Sequence, residues 1–106
     1  MNETELIQAI GANPGMYLGR KTITGLSHFL DGYGLALSSS SAKYDRAATE
    51  GFQQFVAERF RITSSHRWDE IILFFEQDQC RAFDRAMDLF QEYLNSRWDK
   101  SKTAIG

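Results

Sequence analysis

The sequence predicts an all-α domain, an irregular bundle of about five helices with a Pro-Gly loop packed into it. Apolar residues recur at helical spacing in five separate stretches. The run 71–75 could also be a buried strand, but no second, alternating segment is available to pair with it. A chain of 106 residues, 42% hydrophobic and 25% charged, has the profile of one globular domain around one core, so residues 1–106 are read as a single unit. Aromatic residues make up 13% of it, with eight Phe, two Trp and four Tyr, which predicts a core built mainly from rings.

Taken in order, Asn2 followed three residues later by Glu5 has capping-box spacing, and Leu6, Ile7 and Ile10 follow at helical intervals until Gly11. Next comes the least ordinary stretch, Pro14, Gly15, Met16, Tyr17, Leu18 and Gly19, which holds the only proline. Proline fixes one φ and glycine frees the next, so a sharp non-helical corner is expected, with Met16, Tyr17 and Leu18 buried behind it. Thr24 is placed to cap a second helix on which Leu26, Phe29, Leu30, Tyr33 and Leu37 form one stripe. Its three glycines, Gly25, Gly32 and Gly34, fit either a close backbone approach or simple tolerance. The polar stretch 38–45 reads as a loop. A third helix, from about Arg46 to Arg59, carries Phe52, Phe55, Val56 and Phe60.

The segment 62–65 breaks the pattern, and Ser64 or Ser65 can cap a fourth helix whose first turn holds Asp69 and Glu70, where the helix dipole favours acids. Trp68, Ile71, Ile72 and Phe75 share one face of it, and Leu73 with Phe74 makes it apolar most of the way round. Such a helix is expected to be central. The last helix, from Gln79 to about Trp98, has Phe83, Met87, Phe90, Leu94 and Trp98 on one stripe beside Ala82 and Ala86, and the polar tail after it should fray. Phe29 and Phe75 are both expected in the core.

Charge narrows the function. A formal net charge of −2 and a pI near 5.6 lack the basic excess of a nucleic-acid binder. The acidic amino terminus has no basic start or apolar run of a signal peptide, and no stretch reaches the roughly 18 apolar residues of a membrane span. A lone cysteine, Cys80, suits a reducing compartment. A cytoplasmic protein is expected, with neither nucleic acid nor membrane as its direct partner.

Chemistry-bearing residues are sparse. His28 and His66 have no second ligand at i+3 or i+4, so structural histidines are the simpler reading, and no metal or cofactor is expected. A triad of Cys80, His66 and an acid can be drawn in any chain of this size. Asp84 and Asp88 lie one turn apart, but Arg81 and Arg85 flank them at salt-bridge spacing. No enzyme is expected. One larger pattern stands out: from Trp68 to Glu92 seven acids, Asp69, Glu70, Glu76, Asp78, Asp84, Asp88 and Glu92, face two bases, Arg81 and Arg85. An acidic helix pair of this kind can steer a cationic partner.

Several motifs together carry a family resemblance. The first six residues of the Pro-Gly motif resemble a type II topoisomerase motif, but Asn13 stands where that motif has Arg and no glycine-rich lid follows. Across nearly the whole chain, Pro14 to Gly19, Ile23-Thr24-Gly25-Leu26, Phe29-Leu30-Asp31-Gly32-Tyr33, Phe52 to Val56, Trp68-Asp69-Glu70-Ile71-Ile72 and Ala82-Phe83 resemble small bacterial proteins of one kind. These are the all-helical immunity proteins of contact-dependent growth inhibition and related polymorphic toxin systems, whose targets include nuclease toxins such as EndoU-type ribonucleases. The resemblance implies inhibition by binding: an acidic surface fills the cationic cleft in which a ribonuclease holds phosphate. Contact residues would then come from the seven acids, with Trp98 or Tyr44 as an apolar anchor. The Pro-Gly motif would serve the fold. A non-catalytic adaptor or regulatory module unrelated to toxins would carry the same charge pattern and stays open.

Overall fold

A computed structural model describes residues 2–39 and 47–105, the side chains of 47, 48 and 98–105 excepted. The described residues form six helices and no strand: α1 (Glu3–Ala12), α2 (Pro14–Leu18), α3 (Ile23–Ser39), α4 (Ala47–Arg59), α5 (Trp68–Phe75) and α6 (Gln79–Ile105). Five match the helices expected from periodicity, and the sixth, α2, replaces the predicted loop. The run 71–75 is helix.

Helix α1 starts as its sequence dictates: the Asn2 side chain accepts the Glu5 N–H at 2.7 Å. It runs through Gly11 to Ala12 rather than stopping at the glycine. The Pro-Gly motif turns out to be helix punctuation. Pro14 takes the first helical position, where its missing N–H costs nothing, and Gly19 closes the turn at φ 75°, a left-handed conformation suited to glycine. No residue of α2 is buried. Met16 is 72% exposed, while Tyr17 and Leu18 pack against the core's edge and Tyr17 meets Phe29 edge-on at 6.2 Å. A single turn has too little circumference to bury three large side chains.

Helix α3 begins one residue before the expected cap. Thr22 holds that role, its Oγ1 accepting the Gly25 N–H at 3.0 Å, and Ile23 is fully buried behind it. Thr24 is clipped to the start of α6 instead. Its N–H donates to Gln79 Oε1 at 3.0 Å, and Gln79 Nε2 donates back to its hydroxyl at 2.7 Å. Gly32 has open space around it and is merely tolerated. Helix continues through Ser38 and Ser39, whose hydroxyls donate to the Leu35 carbonyl. The rest of the expected loop, including Tyr44, lies outside the described residues.

Helix α4 is capped at both ends, at its start by another part of the chain. At its start the Thr49 N–H donates to Glu3 Oε1 at 2.8 Å. Glu3 is only 5% exposed, and a carboxylate buried there is favoured by the helix dipole. Its far end closes in a Schellman turn, with Ile62 N–H to Ala57 O and Arg61 N–H to Glu58 O. Arg61 takes the left-handed position at φ 56°. Midway, α4 crosses α6 at Gly51, where a β-carbon would overlap the Tyr93 hydroxyl and lie 2.8 Å from Cζ of its ring. Glycine therefore sets the helix separation. Gly51→Ala should cost up to about 2 kcal/mol, the overpacking of roughly 1–3 kcal/mol less the roughly 1 kcal/mol gained in helix propensity. Adding Tyr93→Phe should recover part of the lost thermal midpoint; no recovery would mean the helices do not meet through that hydroxyl.

Neither serine caps α5. The residue before it is Arg67, which makes no side-chain cap, and Gln53 of α4 reaches across instead. Gln53 Oε1 accepts the Trp68 N–H at 2.6 Å and its Nε2 donates to the His66 carbonyl at 2.9 Å. Nor is α5 alone at the centre. Trp68, Ile71 and Ile72 are buried, but Phe74 and Phe75 are 74% and 54% exposed, so Phe75 is not core, and Phe29 is only partly buried. Helix α6 shares the centre, packing against α3, α4 and α5. Its buried side is Ala82, Phe83, Ala86, Leu89, Phe90 and Tyr93, rotated from the expected stripe so that Met87 and Leu94 lie at its edge. Backbone helix extends to Ile105 rather than ending near Trp98, whose side chain lies outside the described residues.

The rings meet as composition suggests. Phe52 of α4 contacts Trp68 of α5 at 5.4 Å and Phe90 and Tyr93 of α6 at 5.3 and 6.0 Å, which ties three helices together at one point.

Candidate interaction surface

The seven acids do not form one continuous field. Asp78 is used locally as the cap of α6, its Oδ1 accepting the Arg81 N–H at 2.8 Å. Asp84, Asp88 and Glu92 follow at i, i+4 and i+8, a row that drifts around the helix as it climbs. Asp84 meets Lys21, which precedes α3, at 2.6 Å, and this bond raises the Lys21 pKa above its ordinary value. At the other end, Glu92 lies 3.7 Å from Arg59 of α4. Asp88, between them, points to solvent without a partner among the described residues.

On α5, Asp69 Oδ1 is buried and lies 3.2 Å from Arg67 Nε, off the line of the N–H, so charge rather than a hydrogen bond holds the pair. Arg67 also donates through Nη2 to Ser27 Oγ at 2.7 Å and to Asp31 at 2.8 Å, and the Asp31 bond holds its pKa above the usual value. Glu70 is exposed and Glu76 half-buried at the end of α5. Lys21, Arg59 and Arg67 thus return positive charge to a segment that is strongly acidic in sequence. Glu70, Glu76, Asp78 and Asp88 remain as the carboxylates of the seven without an ion-pair partner among the described residues.

Glu70 belongs to a feature that charge counting misses. The outer face of α5 and the link 62–66 enclose a groove of about 490 Å³ lined by Ile62, Ser64, His66, Glu70, Ile71, Leu73, Phe74 and Phe75. Its floor is set by packing: Phe75 stacks on Phe60 at 4.8 Å and 15°, Arg85 lies over the Phe60 ring, and Phe74 meets Phe75 edge-on at 5.1 Å. One wall is set by the Ser64–His66 contact, Oγ to Nδ1 at 2.6 Å, and by the two Gln53 bonds behind it. Two adjacent exposed phenylalanines over a formed groove make this face a candidate interaction site.

The sequence held a signal for this. Five consecutive apolar residues sweep all the way round a helix of eight, and a helix lying on a surface can bury only one side of them. His28 and Cys80 are exposed, and no three His, Cys, Asp or Glu residues among those described are placed to hold a metal. No described helix is long and apolar enough to cross a membrane. Comparison of the chain with protein families, with curated proteins and with solved structures gives no match.

Proposed function

We propose that this chain is an immunity protein of the kind its motifs resemble, binding a cognate nuclease toxin and neutralising it by covering its substrate cleft. The observation that carries the reading is the adjacency of exposed aromatic rings, Phe74 and Phe75, to a carboxylate without an ion pair, Glu70. Apolar anchors give such an interface its affinity, and acids supply orientation and association rate. A ribonuclease toxin presents the complementary surface, because it must attract phosphate. Such a toxin cuts RNA in the cytoplasm, so the protein acts there.

The test is co-expression with any nuclease toxin domain found encoded beside it. The two should co-purify, growth should be restored, and the purified chain should stop RNA cleavage. Asp88→Lys with Glu70→Lys should slow association about tenfold at low salt. The thermal midpoint should fall only slightly: neither carboxylate has an internal ion-pair partner, and Glu70 gives up only its favourable place in the first turn of α5, near Arg67. Failure to bind the toxin, or substrate turnover by the isolated chain, would remove the proposal.

A further inference from the structure

Resting on that reading, we propose that the toxin docks on the outer face of α5, seating an apolar side chain against Phe74 and a Lys or Arg on Glu70. Three observations select this surface and occupant. The groove is already formed, because Phe75 is stacked on Phe60 and the opposite wall is tied to α4 through Gln53. A preformed pocket spares the partner an ordering cost.

Its charge is one-sided. Glu70 is the one charged residue lining the groove; Arg67, just before α5, feels its charge but does not line the groove and is bonded to Asp31 and paired with Asp69. Arg85 lies over Phe60 and, like Arg61, does not line it.

The same charge argues against other occupants. A second copy docking across a two-fold axis would bring the acids of both copies onto one interface, with no lysine or arginine lining the groove to offset them. An anionic lipid surface or a nucleic acid would meet the same acids with its phosphates. A cationic protein surface with an apolar anchor gains on both counts. By contrast, the row on α6 has Asp84 and Glu92 engaged by Lys21 and Arg59, so it steers the partner and does not seat it.

Two fluorescent amphipathic peptides, one of Leu and Lys and one of Leu and Glu, test the surface without any toxin. The Leu/Lys peptide should bind and the Leu/Glu peptide should not. Phe74→Ala should weaken Leu/Lys binding roughly tenfold or more, with an unchanged thermal midpoint because that ring is 74% exposed. Glu70→Lys should weaken it several-fold and flatten its salt dependence. Equal binding of the two peptides, or binding indifferent to Phe74→Ala or to Glu70→Lys, would overturn the proposal. So would a dimer in sedimentation that Phe74→Ala dissolves, which would give the face to a second copy. Toxin neutralisation insensitive to Phe74→Ala would sink this surface and leave the immunity reading standing. Peptide binding at Phe74 together with no toxin neutralised would sink the immunity reading instead.

Discussion

Phe52→Ala is expected to lower the free energy of unfolding by about 3–5 kcal/mol, the usual cost of emptying a buried aromatic site. Domains of this size hold only about 5–15 kcal/mol in total, so much of the protein's stability rests on one ring. The reason lies in its neighbours. Phe52 is 4% exposed and touches Trp68, Phe90 and Tyr93, so its loss opens a void where three helices join and no single helix can shift to fill it. Phe74→Ala removes the same atoms from a ring that is mostly in water, and should cost under about 0.5 kcal/mol. Urea denaturation of both variants checks the pair. A loss below about 1 kcal/mol for Phe52→Ala would mean that the α4–α6 joint is not the centre of the core.

These two phenylalanines also mark how far the sequence could be read. Period alone placed Phe52 and Val56 inside, as it did Leu6, Ile7 and Ile10, because each lies on a helix long enough for one stripe to declare itself. The helix from Pro14 to Leu18 has a single turn and therefore no period, so its proline and glycines suggested a corner when they were marking a start and a stop. Phe75 was read as core because its spacing from Ile71 and Ile72 is right. Spacing tells which residues share a face, but not how much of the helix surface its neighbours cover.

The candidate site was legible in the same uneven way. All seven acids were visible as a group, yet which of them are already engaged depends on Lys21, Arg59 and Arg67, and two of those bases come from distant elements. Local chemistry does not reveal such partners. The groove was hidden for a related reason, since one wall is the link 62–66, whose path is set by Arg61 in a left-handed turn and by Gln53, one helix away.

Arg67→Ala should be the most damaging substitution at a charged residue, at about 2–3 kcal/mol. Arg67 joins α3 to α5 by donating to Ser27 and Asp31 while its Nε faces Asp69. Ser27 is 1% exposed, and a buried hydroxyl stripped of its partner costs about 1–3 kcal/mol. The Asp69 side chain is 14% exposed and would lose its counter-ion, a penalty reduced because the arginine is itself half in water and solvent can replace it. Arg67→Lys keeps the charge without the fork and should lose about half as much. The raised Arg67 pKa gives stability that is complete below the arginine's unfolded pKa and lost only as pH climbs through its folded value. The arginine itself therefore adds no pH dependence near neutrality. A double-mutant cycle isolates the charge pair: Asp69→Asn should cost about 1 kcal/mol less in the Arg67→Ala background than in the wild type. If the two losses simply add, Asp69 is held by the positive end of α5, and the arginine serves only to bond Ser27 and Asp31.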